Sequence, residues 1–329
     1  MGSGNTDHRE VEILIIGGGM AGLMAARDLQ AGGRDVLVLD KGRGFGGRMA
    51  VRNIGAATFE HGAHFLEART PRFAEQIDRW CRAQVAGKWY QPSGAENGPP
   101  FRYRATPSIS ALARHLAQGT EVLRAHKVIA LELNTQRWTA KLEHGGQVQA
   151  AAVLMTCPVP QSLDLLDQGS VRLAQDIRQQ LESVTYERCL TVMAVLDGLS
   201  RLTAPGILTP DSGPIDRLCD HHVEGASAVP AVTIQAGHRF SLENWDRPRD
   251  EVATELLAAA QPWLGGKVTD CQIHGWKYCR PLHRLKETCL QGYDDPPLIF
   301  AGDAFGGHDL ESAAHSGWAA AAALMRPAP

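Results

Sequence analysis

Residues 11–16 form an apolar run, interrupted only by Glu12, that flows directly into Gly17-Gly18-Gly19. A strand with almost no polar side belongs in a parallel sheet covered on both faces. Behind the glycines, Ala21, Leu23, Met24, Ala25, Ala26 and Leu29 recur at helical spacing over residues 20–30, and Gly32-Gly33 ends the run. Residues 35–39 predict a second buried strand, closed by Asp40. The pattern Gly17-x-Gly19-x-x-Gly22 therefore sits inside a βαβ unit. The first glycine allows the tight turn, the second lets backbone approach a pyrophosphate, and the third lets helix and strand pack closely. The helix N-terminus attracts phosphate charge. Asp40 is placed to accept hydrogen bonds from a ribose diol. The bland alternatives are a ligand-free glycine turn and a surface acid, but strand, helix and acid in this order favour a dinucleotide, with NAD and FAD both open.

Composition narrows the partner. The 329 residues carry 33 Lys+Arg against 36 Asp+Glu, a net charge of −3, and only 6% aromatics. The basic excess of a nucleic-acid or membrane-surface binder is missing, so a small molecule is expected. No stretch approaches the roughly 18 apolar residues of a membrane span, and residues 1–10 contain no apolar signal segment. The seven cysteines (81, 157, 189, 219, 271, 279 and 289) are odd in number and scattered, with no CxxC pair. They predict a reduced, cytoplasmic protein. Zinc-spaced Cys/His clusters, HExxH, Walker A and GxSxG are all absent from the sequence, and no metal is expected.

Along the rest of the chain, residues 41–64 read as irregular and rich in Gly and Arg. Helices are expected at 72–82 and 108–117, a turn-rich loop at 91–100, and a strand at 121–123. Three β runs follow at 128–133, 138–143 and 148–155, with His144-Gly145-Gly146 as a hairpin turn. Residues 164–183 predict one amphipathic helix. Strands are expected at 190–196, 216–222, 231–236 and 272–280, with a helix at 249–263. A last buried strand, 297–301, runs into Gly302-Asp303 before a helix from about Leu310 to Met325. Parallel-sheet signatures thus lie at both ends and antiparallel ones in the middle. The expected fold is mixed α/β: a discontinuous nucleotide-binding domain (1–75, 105–175, 285–329) and an antiparallel β-sheet substrate domain (76–104, 176–284).

Lys41-Gly42-Arg43-Gly44-Phe45-Gly46-Gly47-Arg48-Met49 supplies backbone N–H groups and a guanidinium to a long anionic cofactor, and Phe300-Ala301-Gly302-Asp303 repeats the strand-then-Gly-Asp pattern. On these segments the chain resembles FAD-containing oxidoreductases of the glutathione-reductase-like group that includes amine oxidases and phytoene desaturases. His61-Gly62-Ala63-His64 with Thr70-Pro71-x-Phe73, residues 155–161 and His274-Gly275-Trp276-Lys277-Tyr278-Cys279-Arg280-Pro281 narrow the resemblance to renalase-like proteins. It spans essentially the whole chain and is weakest over 199–230. The resemblance implies a Rossmann-type domain binding FAD non-covalently. It implies cofactor contacts from Gly17, Gly19, Met20, Ala21, Gly22, Asp40, Lys41, Gly47, Arg48, Met49, Gly62, Ala63, His64, Val128, Gly302, Asp303 and Leu310. Asp303 could equally cap the last helix, and both roles are compatible.

On a strand, His274, Trp276, Tyr278 and Arg280 share one face. Aromatic walls with a few donors suit a flat heteroaromatic substrate, although an ordinary helix-covered sheet face has the same look. Trp276, Tyr278, His61 and His64 are the expected pocket residues, the two imidazoles being either polar walls or structural groups. His221 and His222, adjacent on a strand, would face opposite ways. The renalase resemblance implies hydride transfer from an isomeric dihydro-NAD(P) to flavin N5, dioxygen as acceptor, and release of NAD(P)+ and hydrogen peroxide by a monomer or homodimer. The alternatives are oxidation of a small amine and a flavoprotein that binds a pyridine nucleotide without efficient turnover.

Overall fold

The computed structural model describes residues 9–92 and 100–326. Most of the loop expected at 91–100 lies outside the described residues. The chain divides into two compact units, one of residues 1–47, 113–185 and 281–329, the other of residues 48–112 and 186–280.

The first unit is built on a sheet ordered Leu290–Tyr293, Leu298–Phe300, Gln147–Met155, Arg9–Ile16, Val36–Asp40, Glu121–Arg124. Arg9–Ile16 pairs in parallel with Gln147–Met155 on one side and Val36–Asp40 on the other. Leu298–Phe300 and Glu121–Arg124 extend the parallel pairing outward. Val128–Asn134 and Arg137–Leu142 join antiparallel, and Gly145 and Gly146 supply the positive φ of the turn into Gln147–Met155. Ile13, Ile15, Val36, Val38, Leu154 and Ile299 are buried against Ala25, Ala26 and Leu29 of helix Met20–Ala31 and Ala320, Ala321 and Leu324 of helix Leu310–Leu324. Alanine on both helices permits their close approach. At the tightest point, a Cβ on Gly317 would stand 2.3 Å from the Ala21 carbonyl oxygen.

The second unit contains a five-stranded antiparallel sheet, ordered Ile207–Leu208, Ile215–Asp220, Ala231–Ala236, Cys189–Leu196, Val268–Trp276. Helix Arg249–Leu264 buries Val252, Leu256 and Ala260 against Leu190, Val192, Val232 and Ile234. Met193 and Ala231 instead meet Ile54, Ala57 and Phe59.

Three expectations need correction. Residues 41–64 are not irregular throughout: Val51–Ile54 and Ala57–Glu60 form a hairpin. Gly55, at φ +57°, turns it, and Ala57 and Phe59 alternate into the core. This hairpin packs within the second unit, which also holds residues 61–75 and 105–112, so the units break the chain at other points than the expected domains do. Residues 164–183 are two helices, Val159–Gln168 and Gln175–Glu182. Gly169 caps the first, at a position where a Cβ would lie 1.8 Å from the Leu131 carbonyl oxygen, and Ser170 at φ +58° turns the chain out of the helix. The late strand runs over Val268–Trp276 and stops short of Tyr278 and Arg280.

The helix contact at Gly317 is open to test. Gly317→Ala forces the two backbones apart and lowers stability by about 1–3 kcal/mol, the range for overpacked cores, read as a lower denaturant midpoint. Gly87→Ala, whose Cβ would meet nothing within 4 Å, leaves the midpoint near that of the parent.

Candidate functional site

In the first unit the fingerprint glycines form one tight turn between strand and helix. Gly17 sits at φ +117° and donates its N–H to the Leu39 carbonyl at 2.8 Å. A Cβ on Gly22 would stand 2.0 Å from the Gly17 carbonyl oxygen, so helix and turn touch backbone to backbone. The Thr156 hydroxyl donates to that same oxygen at 2.8 Å. Met20 and Ala21 bury their side chains, leaving only backbone N–H groups to offer a ligand. Gly19 caps the helix with no side-chain hydrogen bond, and the first turn holds no acidic residue. These donors fit a bound pyrophosphate.

The neighbouring segments converge on this turn. Asp40 accepts from Gly18 N–H and from Gly42 N–H, each at 2.6 Å. Burial raises its pKa, against the pull of those two donors and of Lys41. The carboxylate is therefore a brace for the glycine turn, and its remaining lone pairs still suit a diol. Gly46 donates to the Gly18 carbonyl at 3.1 Å, and Gly47, at φ +56°, passes over Gly19. Lys41 reaches Gln161 Oε1 at 3.0 Å. His126 N–H donates to the Asp40 carbonyl, two residues before buried Val128. Gly302, at φ +139°, donates to Ser316 Oγ at 2.8 Å, which ties the last strand to the last helix. Asp309, not Asp303, caps that helix by accepting from Ser312 N–H at 2.9 Å, because six residues separate Asp303 from the first helical position, Leu310.

In the second unit, Arg48 donates to the carbonyl of Cys279 at 3.0 Å, and Met49 is a core residue. The next expected segment lies directly on Arg48. Ala63 N–H donates to its carbonyl at 2.9 Å, and a Cβ on Gly62 would stand 2.1 Å from the same oxygen. This contact delivers His61 to Trp276: the rings stack at 5.1 Å, and the Trp276 indole N–H donates to the His61 carbonyl at 2.8 Å. His274, two residues back on the same strand face, meets the Trp276 ring at 4.4 Å and the His61 ring at 5.2 Å. The structure thus brings His61 and Trp276 together. Tyr278, beyond the strand end, packs edge-on to Tyr186 at 5.4 Å, and Arg280 pairs with Glu187 at 2.8 Å. The shared face expected for 274–280 ends at Trp276.

The electrostatics of this wall favour neutral imidazoles. Burial, reinforced by the charges of His274 and Arg52, pushes His61 down to about 4. Burial also lowers His274, with Arg52 and Arg249 adding to the effect, and lowers His64 far below the usual range, helped by His221 and Arg217.

Sequence reading missed a buried polar cluster around His64. His221 and His222 lie past the strand end at Asp220, not on the strand. His221 is fully buried, stacks on His64 at 5.8 Å, and faces Glu224 Oε2 at 3.0 Å and Thr233 Oγ1 at 2.5 Å. Burial opposes its charge, yet the bond to Glu224 and the charges of Glu224 and Glu60 raise its pKa. Glu60, which accepts from Ile109 N–H at 2.5 Å, is raised by burial to about 8. The only cue in the sequence was the spacing His221-x-x-Glu224.

Comparisons with known proteins show what the chain as a whole is similar to. Residues 15–81 match the NAD(P)-binding Rossmann-like domain, and residues 100–325 match the flavin containing amine oxidoreductases. Renalase from Mus musculus is 23% identical over 323 residues, 89% of this chain and 92% of that protein. (S)-6-hydroxynicotine oxidase from Paenarthrobacter nicotinovorans is 32% identical over 123 residues, 36% of this chain and 29% of that protein, so the match spans under a third of its length. Among solved structures, putrescine oxidase bound to putrescine shares the fold at TM-score 0.68 and 14% identity, covering 96% of this chain and 99% of that one. A fatty acid isomerase from P. acnes does so at TM-score 0.66 and 12% identity, covering 93% and 97%.

The depressed His61 pKa sets a pH dependence. The unfolded chain takes up a proton near pH 6.5 that the folded site refuses until about pH 4, so His61 contributes stability above pH 6.5 that is lost as pH falls through this window. His61→Gln, which does not titrate, shows a shallower loss of denaturant midpoint between pH 6.5 and 4 than the parent. Parallel profiles would refute the assignment.

Proposed function

The chain belongs to the flavin containing amine oxidoreductases and takes FAD as its cofactor, and from that premise we propose that it oxidises a reduced, isomeric dihydronicotinamide nucleotide. Bound FAD supplies a hydride acceptor at its N5 atom and a route for the electrons to dioxygen, with release of hydrogen peroxide. The glycine turn at Gly17–Gly22, the first-turn N–H groups at Met20 and Ala21, and Asp40 would hold the adenosine diphosphate part. Gly47, Gly302 and Asp303 would serve its continuation in the first unit. In the second unit, His61 and Trp276 would form the wall on which the nicotinamide ring is held flat.

The observation that carries this reading is the charge around that wall. His61, His274 and Trp276 form a neutral aromatic surface whose imidazoles feel the positive charge of Arg52. Positive charge beside a substrate wall repels an alkylammonium and attracts the phosphates of a nucleotide. Glu60, with its pKa near 8, is mostly uncharged at neutral pH and offsets little of this. A general base works best with a pKa near the operating pH, and His61 at about 4 is poorly matched to that task. A dihydronicotinamide is already hydridic, so positioning and electrostatics suffice and no proton need be removed. The similarity to renalase along 89% of the chain supports the same choice.

The purified flavoprotein, mixed anaerobically with 2- or 6-dihydro-NAD(P), NADPH or a panel of amines, is expected to lose its flavin absorbance near 450 nm (roughly, for oxidised flavin) only with the dihydro isomers. Fast bleaching by amines alone would replace this reading with amine oxidation. Bleaching by none would leave a nucleotide-binding flavoprotein without turnover. For the nucleotide end, Asp40→Ala leaves the Gly18 and Gly42 N–H groups without their acceptor. It is expected to shed flavin on gel filtration under conditions where the parent retains it, with circular dichroism unchanged.

A further inference from the structure

The buried cluster beneath the aromatic wall has no role in the proposed hydride transfer. His64, His221 and Glu224 are 3%, 0% and 5% exposed, and each offers one ligand atom within 4.8 Å of the others. Their hydrogen bonding is incomplete. Neither ring nitrogen of His64 has a well-aligned hydrogen-bond partner, and Glu224 Oε1 has none. The neighbouring Gln235 amide, which donates to the Gly62 carbonyl at 3.3 Å, also interacts with the His64 ring. Buried nitrogens and oxygens are normally satisfied, so a cluster that presents one ligand atom per residue within 4.8 Å, with an unmet oxygen on Glu224 and unmet ring nitrogen on His64, calls for a guest. That guest must accept lone pairs, since imidazole nitrogens and a carboxylate oxygen are what the site presents.

We infer that His64, His221 and Glu224 bind a divalent transition metal ion, with Zn2+ the best match. Two imidazoles and one carboxylate are a ligand set that zinc takes in tetrahedral sites, with the fourth position left to water. His64 and Glu224 also line a cavity of about 110 Å3, together with Glu60, Trp89 and Arg104, which has room and polar walls for such a water. The surroundings orient the ligands as well. His221 Nε2 stands 2.5 Å from Thr233 Oγ1, which can accept its proton, so that Nδ1, hydrogen-bonded to Glu224 Oε2 when no ion is bound, can give up its proton to the solvent and turn its lone pair to the metal. A ligating imidazole that hands its second N–H to an outer partner is the usual arrangement around zinc. His61 also keeps an unmet Nδ1, but its ring packs on Trp276 and His274 and it stands outside this group.

The test uses the intact flavoprotein, stripped with a chelator and dialysed. Titration with Zn2+ in a calorimeter is expected to give one ion per chain, and metal analysis after gel filtration is expected to return the same ratio. Co2+ in place of Zn2+ is expected to give tetrahedral ligand-field bands at wavelengths beyond the flavin absorption. Glu224→Gln and His64→Gln, prepared separately so that a folding defect in one does not decide the matter, each weaken Zn2+ binding at least tenfold while keeping a folded circular dichroism spectrum. Failure of the parent to bind stoichiometric metal would overturn the assignment. So would equal affinity in both variants, which would place the ion on surface histidines. Because these measurements involve no substrate, their outcome is separate from that of the bleaching experiment.

Discussion

The contact between the Gly17 carbonyl and Gly22 is the constraint on which the nucleotide-binding unit is organised. With a Cβ at Gly22 excluded at 2.0 Å, the first helix lies against the turn with backbone touching backbone. Everything nearby is arranged around that closeness. Thr156 ties the turn to the next parallel strand, Asp40 binds the N–H groups of Gly18 and Gly42, and Gly46 donates back to Gly18. The last helix then approaches the first through Gly317. The result is a row of helix-start N–H groups free of side-chain caps, held open by backbone geometry alone. Backbone N–H groups arranged in this way suit an anion without needing a charged side chain.

The second unit solves a different problem. It buries several imidazoles and three carboxylates, Glu60, Asp220 and Glu224, all groups that lose free energy on leaving water unless paired. It answers this in two ways. Along the wall, burial holds His61 and His274 neutral and lets them pack as aromatic surfaces beside Trp276. Deeper, Glu60 is held protonated at neutral pH and caps the start of helix Ile109–Leu116 through the Ile109 N–H. Among the described residues, His64 and Glu224 are two of the few side chains that keep a buried polar atom unmet, and they are the two that lie together.

Much of the nucleotide-binding unit was legible in the chain because its signals are local. An apolar run, a glycine triplet and a helical stripe lie within thirty residues, and each carries its own steric reason. The failures share a cause too. The hairpin at 51–60 looked irregular because its buried positions, Ala57 and Phe59, are justified only by Met193 and Ala231, far along the chain. The helix expected across 164–183 breaks where Gly169 meets Leu131. Tyr278 was grouped with Trp276 by extending a period-two pattern past the point where the strand ends. Periodicity does not report where a strand stops, since that depends on its partners.

The sequence by itself pointed to a dinucleotide at a glycine turn, to FAD through its resemblance to flavin oxidoreductases, and to His61, His64, Trp276 and Tyr278 as pocket residues. The first of those inferences rests on backbone requirements that short segments cannot escape. Only the tertiary structure decided that His61 stacks on Trp276 while Tyr278 leaves for Tyr186, that Asp40 braces the turn it follows, and that His64, His221 and Glu224 meet at one buried point. Such meetings depend on which strands become neighbours. Residues 157 positions apart share a site only after the sheet between them has formed, and no local pattern encodes that.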